Sequence, residues 1–588
     1  MGGGNDRGGC QLMRYRWTLR CDGLDAAVRG QVAQLGLPAL LADCLAVRGV
    51  VQVEQARLFL EPRLRDLTDP FDFPGMAPMV DRLFRALRAG EPVLLFGDYD
   101  VDGVSSTALL QEVLSALGWN VAWSIPDRMD DGYGLTAESL ERALGVWSSG
   151  LVLAIDCGVN AGELIAQKRV CGVEVMVLDH HDPGKVGWPD TPCIHPWLLG
   201  VEDHPARGLC SVGCAFKLAH GLVKRGRELE YDGFGDFDLR SVLDLVALGT
   251  VADLVPLTGE NRILVAAGLR AMPATRRAGL RALMALAGVG SRVGAQDIGF
   301  QLAPRLNAAG RLGSAGPAVE LLLSSGESEA NRLADYLDSQ NRERQSLERS
   351  TSEEVLGRLR GRFDSRMDHV VVEGDASWHP GVVGIVAARV VQEFHCPALI
   401  LGGDGEFLRG SGRSVEGYDL AQALARCGDL LERGGGHAMA GGLTIRPGRL
   451  EDLRMRLRED FSKCAERLGE EPLLELDASV PLSVLNVETL EWLGRLEPTG
   501  QGNPRPRFIV PGLRLFGEMR VMGKQGNHLR FEVTDGRSRA LVVWWGGAGQ
   551  PFAEGDFDLA VEPALNHFRG RTTVQLVLLD WRPAVKGG

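Results

Sequence analysis

The sequence predicts an α/β protein: a parallel-sheet domain joined by a long helix to a smaller α/β domain, with a small β-barrel at the C-terminal end. Three observations carry that expectation. Short, continuously apolar strands alternate with amphipathic helical segments through the first half of the chain. A charge-dense stretch without proline follows. The remainder ends in alternating strands separated by turn residues.

In chain order, residues 1–60 read as an N-terminal helical lead-in, and the turn-rich LTDPFDFPGM follows it. Residues 61–326 hold the strands VLLF (93–96), VAWSI (121–125), LVLAI (151–155) and VEVMVL (173–178), which suit a parallel sheet covered on both faces. Residues 327–365 are read as a connecting helix because leucines recur among dense charges. A second α/β segment, 366–467, carries GGGHAMAGG. In 468–588, HLRFEVTD alternates Leu529, Phe531 and Val533 with polar neighbours, and ALVVWW, FDLAVE and TTVQLVLLD continue the pattern. Several short strands of this kind predict a small β-barrel, which looks like an OB-fold.

A chain of 588 residues is too long for one core and should divide into three or four domains. No apolar run is long enough for a membrane span. The amino-terminal MGGGNDRGGCQLMRYRW lacks the apolar segment of a secretory signal. Eleven cysteines, an odd number without a paired framework, point to a reducing, cytoplasmic setting. Cys210 and Cys214 form a CxxxC pair with no second pair to complete a zinc site, so they read as buried thiols. The net charge of −13 argues against a nucleic-acid coat. It leaves room for a nucleic-acid enzyme, because a metal site brings its own positive charge.

The chemistry concentrates where strands end. VLLFGDYDVDG sets Asp98, Asp100 and Asp102 at alternate positions just past one strand, and like charges packed so closely need a cation among them. The next apolar strand ends in Asp156, and the one after it in Asp179, His180 and His181. A helix-like run, LDLVALGTVADLVPL, adds Asp253 in an apolar setting. Alone, a DxD after a strand is as often a capped turn, and an HH pair is usually structural. Arriving in succession at one sheet edge, they suit Mn²⁺ or Mg²⁺, with ligands enough for two ions.

DYDVDG, DCG, DHH and LGTVADLVPL resemble the four successive motifs of the DHH phosphoesterase superfamily, and GGGHAMAGG resembles the signature of its companion DHHA1 domain. IPDRMDDGYGL, APRLNAAGRLG, WHPGVVGIVAAR, RGSGRS and LEPTGQGNPRPRF are similar to segments of the RecJ family, the bacterial single-stranded-DNA exonucleases within it. The resemblance implies hydrolysis of the phosphodiester by a metal-activated water, degradation in the 5′→3′ direction to mononucleotides, and a role in DNA repair and recombination. It makes Asp100, Asp102, Asp156, His180 and Asp253 metal ligands and Asp98 a further acid. Asp179 then orients a histidine, and His181 faces the phosphate or a second ion. Phe96 stands where some members carry a histidine ligand, a departure for which Asp98 is the expected compensation.

The resemblance also implies a pocket for the terminal phosphate from Arg128, Arg305, Ser411 and Arg413, with Asn307 and Ser414 as further substrate-binding residues. Arginine forks and glycine-flanked backbone amides suit such an anion. His437 is expected to face the site, with Tyr133, Trp378 and His379 placed for stacking or anion contact. Arg505, Arg507 and Arg569, beside Phe508, Lys524 and His528, are the barrel's available strand contacts, whereas Trp544 and Trp545 read as core. By the same resemblance the partners are single-stranded DNA, a helicase and a single-strand-binding protein, and the expected state is a monomer. The rivals are another DHH phosphodiesterase or pyrophosphatase and a strand-binding scaffold without metals. The first usually lacks the barrel, and the second would lack motif acids that are all present.

Overall fold

Five short strands build the first sheet: β1 (Val93–Gly97), β2 (Val121–Ser124), β3 (Leu151–Ile155), β4 (Glu174–Leu178) and β5 (Cys193–Ile194). They run parallel in the order β2-β1-β3-β4-β5, so all their carboxyl ends lie at one edge. Every residue of β1 and β3 is buried, which is why both read as unbroken apolar runs. Strand order reverses between β1 and β3, and open α/β sheets form their ligand crevice at such a switch point. The sheet belongs to a unit spanning Leu67–Glu470 in the computed structural model, which describes residues 15–127, 134–184, 187–363, 369–403, 405–463, 472–568 and 570–584.

Three helices crowd this edge. Val101–Ala116 starts directly after the aspartates and buries residues on every side, because it packs against both Ser211–Glu228 and Leu243–Ala252. In the last of these, residues 243 to 251 are all buried, and the run ends at Asp253, which is partly buried. The connecting helix is continuous over Glu327–Arg360, about 50 Å long at 1.5 Å per residue. It buries Leu333, Leu337, Val355 and Leu359 along one side.

The same unit contains a second, mixed sheet: β6 (Val371–Asp375), β7 (Ala398–Gly403), β8 (Leu408–Arg413), β9 (Arg433–His437) and β10 (Ala440–Ile445), in the order β9-β10-β8-β7-β6. Only β6 and β7 pair in parallel. The helix Val383–Phe394 covers one face.

The second unit joins the two ends of the chain, Met1–Asp66 with Glu471–Gly588. Its strands are β11 (Ala478–Ser479), β12 (Phe508–Met522), β13 (His528–Thr534), β14 (Arg539–Trp544), β15 (Phe557–Phe568) and β16 (Arg571–Pro583). Strand β12 pairs with β13 and again with β15, which closes the barrel. Register shifts at Val510/Leu513 and Phe516/Arg520 let this 15-residue strand bend between two partners. Leu529, Phe531 and Val533 point into the core, as their alternation predicts. Phe508 is fully buried there and offers nothing to a nucleic acid.

The amino-terminal lead-in is corrected by this arrangement. It is not a segment of its own: Leu40, Leu41, Cys44 and Leu45 share the barrel core, and residues Arg16–Leu19 pair with Leu473–Leu476. Apolar periodicity shows that a helix has a buried face, but not what covers it. Arg48 ties the two ends together by donating to Asp477 Oδ1 (3.0 Å), Asn503 Oδ1 (3.0 Å) and the Pro504 carbonyl (2.6 Å). Among the described residues no helix is long and apolar enough to cross a membrane.

The side chains of Arg48 and Asp477 are 3% and 4% exposed. Arg48→Ala therefore strands a buried carboxylate and is expected to cost about 3 kcal/mol of stability in denaturant unfolding. Leu40→Ser would destabilise the same unit through the core.

Candidate metal centre

The loop after β1 is shaped by its own aspartates. Asp100 caps the helix Val101–Ala116, its Oδ1 accepting from the amides of Asp102 (2.9 Å) and Gly103 (3.2 Å). A side chain at Gly103 would bring its Cβ within 2.5 Å of the Asp98 carbonyl, so the turn needs glycine there. Asp102 is 1% exposed, and its two oxygens accept from the amides of Ser211 (2.7 Å) and Val212 (2.8 Å) at another helix start.

Asp156 follows β3 with φ 62°, a left-handed conformation that aspartate tolerates better than most residues. Asp179 ends β4 and is saturated with donors. Its Oδ1 accepts from the amides of His180 (2.7 Å) and His181 (3.1 Å) and from His181 Nδ1 (2.7 Å), and its Oδ2 accepts from the Val159 amide (3.0 Å). It orients the histidine loop and His181's ring. His180 Nε2 lies 3.4 Å from Asp156 Oδ1, 3.6 Å from Asp253 Oδ2 and 3.8 Å from Asp102 Oδ2.

This gathering fits a cation by a test internal to the chain. Both Asp156 oxygens, His180 Nε2 and Asp253 Oδ2 are buried yet make no hydrogen bond. Such orphaned lone pairs are costly unless something electropositive uses them. Three sets could each hold an ion: Asp156 with His180 and His181, Asp98 with Asp100 and Asp156, and Asp102 with Cys210 and Asp253. Asp156 belongs to two of them. Oxygen and imidazole donors suit a hard or borderline divalent ion.

The electrostatics agree. Burial, then the neighbouring carboxylates, pushes Asp156 well above the usual carboxylate range, Asp102 to about 7 and Asp253 to about 9. Burial and the adjacent His181 push His180 down to about 3, leaving a neutral imidazole free to ligate. Burial opposes charge on Asp179 too, but the hydrogen bond and charge of His181 outweigh it and hold Asp179 at about 2. His181 in turn is raised to about 9, against its own burial.

Asp98, Tyr99, Asp100, Asp102 and Asp253 line a cavity of about 340 Å³, closed on its other side by Asn307, Gly310 and Arg311. Asn307 is thus at the site. Arg305 is not: its Nε donates to Asp338 Oδ1 (2.9 Å) and its Nη1 to the Gln301 carbonyl (2.6 Å), so it braces the connecting helix. Arg311 lines the cavity instead. Asn307 and Arg311 are four residues apart and share a helix face, a spacing already legible in APRLNAAGRLG.

From the second sheet, the loop before the helix Val383–Phe394 reaches Arg311, whose Nη1 is 3.5 Å from the Gly381 carbonyl. His379 is half-buried in that loop and accepts from the Gly381 amide (3.0 Å). Trp378 is corrected from a stacking platform to a core residue. It is 3% exposed, donates to Glu354 Oε2 (2.9 Å) and lies under the Arg358 guanidinium. Arg413 Nη1 donates to Ser411 Oγ (3.0 Å), and a Cβ at Gly384 would lie 2.9 Å from that oxygen, so both residues sit against the helix start. Ser414 instead donates to the Tyr418 carbonyl (2.7 Å) and holds a turn. His437 is exposed and shares a sheet end with Arg413 through Ala440.

In the barrel unit, Arg505 and Arg507 both pair with Glu562, at 3.2 Å and 3.8 Å. Trp544 packs on the core, whereas Trp545 is 54% exposed, contrary to its reading as core. Arg128, Tyr133 and Arg569 lie outside the described residues. Phe96 is buried within β1, away from any ligand role. Besides Arg311, the sequence reading passed over His195, which is fully buried, donates from Nε2 to the His181 carbonyl (2.8 Å) and accepts at Nδ1 from the Trp197 amide (3.1 Å). It fixes the backbone of the histidine loop.

Carboxylates raised to about 7 and 9 are protonated below those values and must ionise to hold a cation. Mn²⁺ affinity in calorimetry is thus expected to rise as pH increases through that window, with protons released on binding. Asp179→Asn should weaken binding by roughly 10- to 100-fold.

Comparison with known proteins covers the whole architecture. The DHH family N-terminal domain matches residues 92–250, the DHHA1 domain 367–463 and the RecJ OB domain 476–580. The single-stranded-DNA-specific exonuclease RecJ of Bacillus subtilis is 34% identical, over 96% of this chain and 71% of its own. Its Escherichia coli counterpart is 33% identical over 92% and 95%. The crystal structure of Thermus thermophilus RecJ in complex with Mn²⁺ superposes with a TM-score of 0.81 at 30% identity, covering 97% of this chain and 80% of that one. A second structure of that protein contains Mg²⁺. With the acids and histidines of all four motifs gathered at one sheet edge and relatives this similar along nearly its full length, the chain belongs to the RecJ family of single-stranded-DNA-specific exonucleases.

Proposed function

We propose that this protein is a metal-dependent exonuclease that shortens single-stranded DNA from the 5′ end, releasing mononucleotides, in DNA repair and recombination in the cytoplasm. It acts as a monomer on single-stranded DNA, alongside a helicase and a single-strand-binding protein. The observation that carries the reading is the set of buried, unbonded oxygens and imidazole nitrogen on Asp156, His180 and Asp253, the last of which lines a cavity with Arg311 and Asn307.

Two Mn²⁺ or Mg²⁺ ions held by Asp98, Asp100, Asp102, Asp156, His180 and Asp253 would supply a lowered water pKa and neutralise charge on the leaving oxygen. Everything else falls to the chain. Asp102, gripped by two backbone amides, and Asp156, set by its left-handed backbone, keep the ligands from relaxing away from one another. His181, kept protonated by Asp179, donates to a non-bridging phosphate oxygen. Arg311 and Asn307 bind the phosphate from the opposite wall. Ser411, Arg413 and His437, at one end of the second sheet, receive the terminal 5′-phosphate, which sets the polarity of attack.

The test is a 3′-labelled strand with and without a 5′-phosphate, incubated in Mn²⁺ and in EDTA. The expected outcome is stepwise shortening from the 5′ end that requires metal. Asp156→Ala should abolish it, by more than the ~100-fold that loss of an outer partner costs. Arg413→Ala should raise KM for the phosphorylated strand about 10-fold or more, and for the 5′-hydroxyl strand much less. Hydrolysis of dinucleotides or pyrophosphate with long strands left intact would overturn the reading.

A further inference from the structure

The walls of the cavity are acidic and amide-bearing, and so handle the phosphate, but a nucleotide also brings an apolar base. Two large apolar side chains stand exposed beside this site. Leu254 immediately follows the ligand Asp253, is 73% exposed, and adopts a left-handed backbone (φ 60°) that leucine rarely accepts. Phe300 is 79% exposed in a π-helical turn, Ile298–Leu302, whose Ile298 and Leu302 are buried.

The π turn lies against the end of the helix that delivers Asp253, since a Cβ at Gly299 would be 4.0 Å from Val251 Cγ1. It also runs directly into Ala303–Leu312, the helix that supplies Asn307 and Arg311. Phe300 precedes Asn307 by seven residues along this continuous helical run, about 10 Å of rise. π turns are frequent at functional sites, and neither burial nor packing explains an exposed leucine in a strained conformation next to a metal ligand.

Resting on the nuclease reading of the site, we propose that Leu254 and Phe300 form an apolar rim on which the base beside the scissile phosphate stacks. Every base has a π-face, so such a rim grips any sequence without reading it, as an enzyme that degrades a strand to its end requires. The two residues thereby make the enzyme prefer base-bearing strand over bare sugar-phosphate.

The full-length enzyme in Mn²⁺ would be assayed on a 5′-phosphorylated strand and on the same strand with 5′-terminal nucleotides lacking bases. The wild type is expected to show a KM about 10-fold lower on the base-bearing strand. Phe300→Ala should remove most of that ratio and Leu254→Asn, which tolerates the left-handed backbone, part of it, whereas Phe300→Trp retains it. Equal KM values for the wild type on both strands, or an unchanged ratio in Phe300→Ala, would overturn the rim and leave the nuclease reading standing. Failure of the wild type to shorten either strand would overturn both.

Discussion

Carboxylates that cannot escape one another organise this protein. Asp102 and Asp156 are each 1% exposed, and Asp253 and His180 close the same space. Buried like charges repel, and the chain pays for holding them with backbone rather than with partner cations of its own: amides of Ser211 and Val212 on Asp102, and a left-handed turn at Asp156. Asp179, which accepts four hydrogen bonds, supports rather than faces the site. The division is physical. Asp179, paired with His181, stays ionised and orients its neighbours, whereas the unbonded oxygens of Asp156 and Asp253 are left for a metal.

The scaffold follows from that demand. A parallel sheet delivers consecutive strand ends to one edge, so three ligand-bearing loops arrive together without long excursions. Packing Val101–Ala116 between two further helices brings a helix start against Asp102 and the end of another beside it, carrying Asp253. The histidine loop is held from behind by His195, which occupies both of its ring nitrogens in doing so. Across the cavity, one helix face sets Asn307 and Arg311 along its wall, while Arg305, off that face, anchors the helix to the 34-residue connector.

Much of this was legible because it is local. DYDVDG, the acid after LVLAI, and DHH each follow an apolar strand in the chain itself, and parallel pairing makes their convergence unavoidable. Barrel alternation at Leu529, Phe531 and Val533 was readable for the same reason. Residues whose role depends on a distant neighbour were not. Trp378 looks like a platform until Glu354 and Arg358 are found beside it, and Arg305 like a phosphate ligand until Asp338 claims it.

By itself the sequence determined the order of elements, the parallel sheet and the acids and imidazoles that end its strands, because strand period and strand ends are written in neighbouring residues. Tertiary structure decided the rest: that the first and last segments share one core, that Arg311 rather than Arg305 faces the metal cavity, and that His195 braces the histidine loop. Those outcomes depend on which surfaces meet, and a side chain's partner across hundreds of residues leaves no periodic trace in the chain that contains it.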